Sequence, residues 1–202
     1  MHIRSVRRSQ VGVTLIELIV TMSIIMILMT VGVSGWTALI KRNARAAEVN
    51  ALVANLNYAR SQAVLRGTTV MVCSIDPDNL PDEPAEPCAS IRAADGDREW
   101  HQGYAVWVED SGERLRIQPP STAVTIETGN AVRFRFWDDG SGTNDAFRVC
   151  DASDDADSDA ARGSGVAPPR AVIVSPVGRV RVAEKMSGGS DISCSGDAPE
   201  GG

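Results

Sequence analysis

The sequence predicts an α+β protein in which one long N-terminal helix packs on an antiparallel β-sheet head. Three observations predict it. An uncharged run extends from Leu18 to Ile40. The stretch Lys41 to Arg66 then holds no Pro and no Gly, and its apolar residues recur at helical spacing. After Gly67 the apolar pattern changes to period two, broken by turn residues.

The uncharged run comes first. At about 1.5 Å per residue its helix reaches about 34 Å, against a bilayer hydrocarbon core of about 30 Å. Residues 13–40 are therefore expected to form a single membrane span. A secretory signal has a basic start, as Arg4, Arg7 and Arg8 provide. Its apolar segment is shorter, however, and ends in a small-residue cleavage site. The run here, from Leu18 to Ile40, is too long for such a segment. Glu17 stands at the edge of the run, where an ionised side chain in lipid is costly. An α-amino group created by cutting just before Val13 would place a cation beside it.

The helix should continue past the membrane. Val49, Leu52, Val53, Leu56, Ala59 and Ala63 fall on one face, whereas Arg42, Arg45, Asn50, Asn57 and Arg60 lie elsewhere. Gly67 is positioned as the C-terminal cap, so residues 41–66 form the amphipathic half. Eight strands follow: Thr68–Cys73, Gly103–Val108, Leu115–Gln118, Ala123–Thr128, Val132–Phe136, Ala146–Cys150, Ala171–Val174 and Val180–Val182. Turn signals separate them, among them Pro77, Asp95-Gly96, Pro119-Pro120 and Asp139-Gly140. Short strands with frequent turns imply an antiparallel sheet in residues 67–186, one face of it covered by the amphipathic half. Residues 151–169 and 187–202 are rich in Asp, Ser, Gly and Ala and read as a mobile loop and a flexible tail.

All four cysteines, Cys73, Cys88, Cys150 and Cys194, lie beyond the span. An even count there points to two disulfides in an oxidising compartment. Four cysteines allow three pairings. The local pairing, Cys73 with Cys88 and Cys150 with Cys194, is expected, since the first bridge would staple a Pro- and acid-rich loop with little core of its own. The cysteines also orient the chain, with the head in the periplasm and residues 1–12 in the cytoplasm. Flanking charge does not, because Lys41, Arg42 and Arg45 balance the N-terminal arginines.

Gly12-Val13-Thr14-Leu15-Ile16-Glu17-Leu18 resembles the class III signal of type IV prepilins and type II secretion pseudopilins. The resemblance implies that a prepilin peptidase cuts a 1–12 leader after Gly12. It also implies N-methylation at Val13, and a role for Glu17 in guiding assembly with other minor pilins or pseudopilins. Val13 departs from the usual Phe. The head extends the resemblance through Cys73-Ser74, Cys88, Trp100-x-x-Gly103-Tyr104, Val106-Trp107 and Asp110. The segment Ser175-Pro176-Val177-Gly178-Arg179-Val180-Arg181 continues it. Together these resemble the GspH/FimT family, whose fold is type IV pilin-like. The place implied is the inner membrane, single-pass, with incorporation into a pilus or pseudopilus.

Two functions follow from that resemblance. One is a type IV minor pilin that captures double-stranded DNA during natural transformation, through a G-R-x-R element here formed by Gly178, Arg179 and Arg181. Residues two apart on a strand point the same way, so the two guanidinium groups could hold phosphates together. The other is a GspH-type pseudopilin of type II protein secretion. Composition leans against broad nucleic-acid binding: the chain carries 20 basic and 26 acidic residues, net −6. Loss of Arg4, Arg7 and Arg8 with the leader leaves 17 basic against 26 acidic residues, or −9.

Catalytic chemistry has little to build on. His2 leaves with the leader, and His101 beside Trp100 reads as structural. No nucleophile triad and no phosphate-binding loop can be assembled. Asp155, Asp157 and Asp159 alternate as in a calcium loop, but the Gly and distal Glu that loop requires are missing. No enzyme activity, cofactor or metal is expected.

Overall fold

Thr14 begins the helix. Its hydroxyl oxygen accepts the Glu17 backbone N–H at 3.4 Å, satisfying one of the orphan amides of the first turn. In the computed structural model, α1 then runs unbroken over Leu15–Arg66, 52 residues. Gly67 ends it at φ +64°, and the amides of Gly67 and Thr68 both donate to the Ala63 carbonyl, at 2.9 and 3.3 Å. The structure describes residues 12–75, 88, 100–129, 131–152, 168–186, 189–192 and 194. The side chains of residues 30–35, 37 and 38 lie outside that description, as does the leader up to residue 11.

The chain divides into two compact units, Met1–Leu39 and Ile40–Gly202. In the first, the apolar side chains from Leu15 to Met29 are exposed all around the helix. The hydroxyls of Thr21 and Ser23 donate back to the carbonyls of Leu18 and Ile19, so neither is left unsatisfied on an apolar surface. Among the described residues no helix is long and apolar enough to cross a membrane. The expected 13–40 span falls in part on the undescribed side chains between Met29 and Leu39.

In the second unit the stripe Val49, Leu52, Leu56, Ala59 and Ala63 is buried, with Val53 packed at its margin. Eight strands follow: β1 (Val70–Ser74), β2 (Tyr104–Val108), β3 (Arg114–Gln118), β4 (Val124–Thr128), β5 (Arg133–Phe136), β6 (Asp145–Asp151), β7 (Arg170–Val174) and β8 (Val180–Ala183). They form two four-stranded antiparallel sheets, ordered β3-β2-β1-β5 and β4-β6-β7-β8. The fold expected from sequence, a helix packed on an antiparallel head, is borne out, with the strands divided between two sheets. The chain moves to the second sheet at β4, returns for β5, and leaves again at β6, a path that strand periodicity does not encode.

One core serves the helix and both sheets. Val70, Val72, Val106 and Phe134 meet it from the first sheet, and Ile126, Phe147, Val149 and Val172 from the second. Trp100 closes it. Its ring meets Phe147 edge-on at 4.9 Å and Phe134 at 5.6 Å, and those two phenylalanines stack at 4.3 Å across the two sheets.

Each sheet also buries its other face. Met71, Cys73, Ala105 and Trp107 pack there with Ile75 and Cys88, and Ala146, Ala171 and Ile173 pack with Ile192 and Met186. The disulfides pin these covers: Cys73 is bonded to Cys88, and Cys150 to Cys194. The 187–202 tail is thus corrected for residues 189–192. Ile192 is buried, Met186 and Ser190 pair through the backbone, and Lys185 bridges to Asp191. The head extends at least to Cys194, because a disulfide and an apolar anchor hold a composition that otherwise reads as disordered.

Two further expectations are corrected. Arg45 was expected off the apolar face, yet it is buried, ion-paired to Asp151 and donating to the Pro168 carbonyl at 2.7 Å. Asp151 correspondingly belongs to β6 and not to a mobile loop. Removing one partner of such a pair typically costs about 3–5 kcal/mol, because the other charge stays buried.

Candidate functional site

Two stretches carry the residues singled out above. The first is Gly12 to Glu17. Gly12 and Val13 precede the helix, exposed, and a Cβ on Gly12 would meet nothing within 4 Å. Glu17 lies in the first helical turn, exposed, where the helix dipole favours a carboxylate.

The second is the hairpin joining β7 to β8. Ile173 pairs with Arg181 and Val174 with Val180, and the Ser175 amide donates to the Arg179 carbonyl at 3.0 Å, so the register continues to Arg179. Arg179 and Arg181 therefore project from the same face, and both are exposed. Among the described residues no carboxylate pairs with either. Other cations at the surface differ: Arg66 pairs with Glu113, Arg170 with Glu184 and Lys185 with Asp191.

Gly178 fixes the turn of this hairpin. It is buried at φ +71°, and an added Cβ would overlap the Gly140 carbonyl oxygen and stand 2.8 Å from Arg60 Nε. The Gly142 amide donates to the Pro176 carbonyl at 3.0 Å. The turn between β5 and β6 and the turn between β7 and β8 are thus in backbone contact. Arg60 joins both: Nε donates to the Gly140 carbonyl at 2.8 Å, and Nη2 to the Val177 carbonyl at 3.0 Å.

Sequence reasoning missed Arg60, setting it among polar positions away from the buried face. Its spacing held a signal: it is four residues after Leu56 and beside Ala59, at the margin of the stripe. Arg45 stands likewise four residues before Val49, so the stripe extended backwards passes through it.

Asp155, Asp157 and Asp159 lie outside the described residues. Among the described residues no group of three or more His, Cys, Asp or Glu side chains could hold a metal ion. His101 is partly buried, and its carbonyl accepts the Ser121 amide at 2.8 Å, which fixes the loop before β4.

Residues 48–178 match the family model described as Type II transport protein GspH, and residues 7–33 match the prokaryotic N-terminal methylation motif. Two solved structures are similar to this chain, both of the type IV minor pilin FimU of Pseudomonas aeruginosa in different crystal forms. The first is 19% identical, with a TM-score of 0.50 over 72% of this chain and 92% of FimU. The second is 20% identical, with a TM-score of 0.47 over 70% and 91%. No curated protein sequence matches the chain.

Proposed function

The chain belongs to the GspH family of minor pilins and pseudopilins, and from that premise we propose that it is a type IV minor pilin that captures duplex DNA. It enters the inner membrane as a precursor, with its head in the periplasm. A prepilin peptidase cuts it between Gly12 and Val13, and Val13 is methylated. Glu17 then pairs with the new N-terminus of a filament partner, in a low dielectric where such a pair is strongest. The match to the N-terminal methylation motif supports this first part.

One observation carries the DNA reading: Arg179 and Arg181 project together from a fixed hairpin, exposed and without a carboxylate partner among the described residues. Guanidinium groups so placed fit the spaced oxygens of a phosphate backbone. With an acidic mature chain, binding would be local to this hairpin, weak and indifferent to sequence.

The test uses the full mature chain in nonionic detergent and a fluorescent duplex of mixed sequence. Binding should weaken as salt rises, since each phosphate contact releases condensed counterions. Arg179→Gln with Arg181→Gln should abolish it and leave the melting temperature nearly unchanged, because exposed charges contribute little stability. A second reading, a pseudopilin that helps move folded proteins out through type II secretion, draws on the description of the matching family model. Absence of binding by the wild-type chain at low salt would remove the DNA reading and leave a secretion pseudopilin or a purely structural minor pilin.

A further inference from the structure

The two arginines of the hairpin follow a turn that its own hydrogen bonds close, Gly178 N–H to the Ser175 carbonyl at 2.8 Å, but that an edge strand carries. β8 is the last strand of its sheet and is half-exposed along its length. The helix supplies what the strand lacks. The fork of Arg60 reaches from α1 to two carbonyls on two different turns, Gly140 and Val177, and Gly178 fits between them only because it has no side chain. Val177, whose carbonyl Arg60 holds, is two residues before Arg179.

We propose that Arg60 is the positioning residue for Arg179 and Arg181: it fixes their hairpin to the helix through main-chain carbonyls and does not itself bind the nucleic acid. This rests on the phosphate-binding reading of the hairpin. Two charged side chains engage neighbouring phosphates at lower entropic cost when their common backbone is already fixed. Arg60 suits the task because a guanidinium presents donors in a rigid fork. A lysine in its place keeps the charge and loses the simultaneous reach to both carbonyls.

The salt dependence separates positioning from contact. In the same duplex-binding assay, Arg60→Lys should bind roughly tenfold more weakly, the scale of one misplaced charged contact. Its slope of log affinity against log salt should equal that of the wild type. Arg179→Gln should lower that slope by about one, as loss of a phosphate contact requires. Amide hydrogen exchange should quicken at Gly178 and Arg179 in Arg60→Lys, and stay unchanged in β6. A second variant approaches the contact from the other side: Gly178→Ala, which keeps every charge, should also weaken binding at unchanged slope.

Wild-type affinity in either Arg60→Lys or Gly178→Ala overturns the positioning role and leaves the phosphate reading standing. A slope lowered by about one in Arg60→Gln makes Arg60 a direct contact, which also overturns it. No binding by the wild-type chain overturns the phosphate reading, and this inference with it.

Discussion

The two halves of α1 obey the same helical geometry and use their apolar residues in opposite ways. Leu15, in the first half, is 76% exposed, whereas Leu52 and Leu56 in the second are fully buried. The first half is apolar on every side, and the second is apolar along one stripe. A helix apolar all round suits an apolar surround, either lipid or the packed helices of a filament; a striped helix suits one folded domain. Hydrophobicity alone therefore does not say where a side chain is buried. Its distribution around the helix does.

The largest expected effect breaks the comparison at its start. Gly12→Ala should block leader removal and still permit membrane insertion, because the helix that follows is unaltered. Immunoblots should show the unshifted precursor in the membrane fraction and none in sheared filaments. Processing at the wild-type rate would place the cleavage site elsewhere and end the assignment of the first half to a filament.

The next effect sharpens the contrast within one residue type. Leu56→Ala removes a fully buried side chain from the core shared by the helix and both sheets. It should destabilise the head by about 2–5 kcal/mol, as large-to-small core substitutions do. Leu18→Ala removes the same atoms from an exposed position, and the head's thermal unfolding should not move. Calorimetry of both variants in the same detergent decides. Equal shifts would mean that the two halves do not divide the work as described.

Much of this was legible in the sequence, and the failures share one cause. The helix appeared with its cap at Gly67, and all eight strands appeared within one or two residues of their bounds, since each depends on local periodicity and turn chemistry. What escaped depends on partners distant in sequence. Arg45 is buried because Asp151 waits 106 residues away. Gly178 is rigid because Gly140 presses on it, and Ile192 is ordered because Cys194 is tied to Cys150. The division into two sheets is of the same kind. At the candidate site, Arg179 and Arg181 could be named from their spacing, but the fork of Arg60 beneath them could not.

The smallest effect concerns the polar seam that only the second half possesses among the described residues. Asn55 Nδ2 donates to the buried Tyr104 hydroxyl at 3.1 Å, and Asn55 Oδ1 accepts from Arg116 at 3.0 Å, linking the helix to the first sheet. Burial pushes the Tyr104 phenol up from 10.0 to about 12, outweighing the Asn55 hydrogen bond that acts the other way. The sign follows from proton binding. Between pH 10 and 12 the unfolded chain releases the phenolic proton while the folded chain retains it, so stability is full below pH 10 and falls as pH rises to about 12. Two units correspond to about 2–3 kcal/mol at most. Tyr104→Phe should remove that part of the alkaline loss, measured as the difference in urea midpoints between the two proteins from pH 9 to 12. It also leaves Asn55 without one acceptor, so the variant should start less stable by about 1 kcal/mol and lose less on the way up. Parallel curves for the two proteins would show that Tyr104 titrates as an ordinary exposed phenol, and that the seam between helix and sheet is wet.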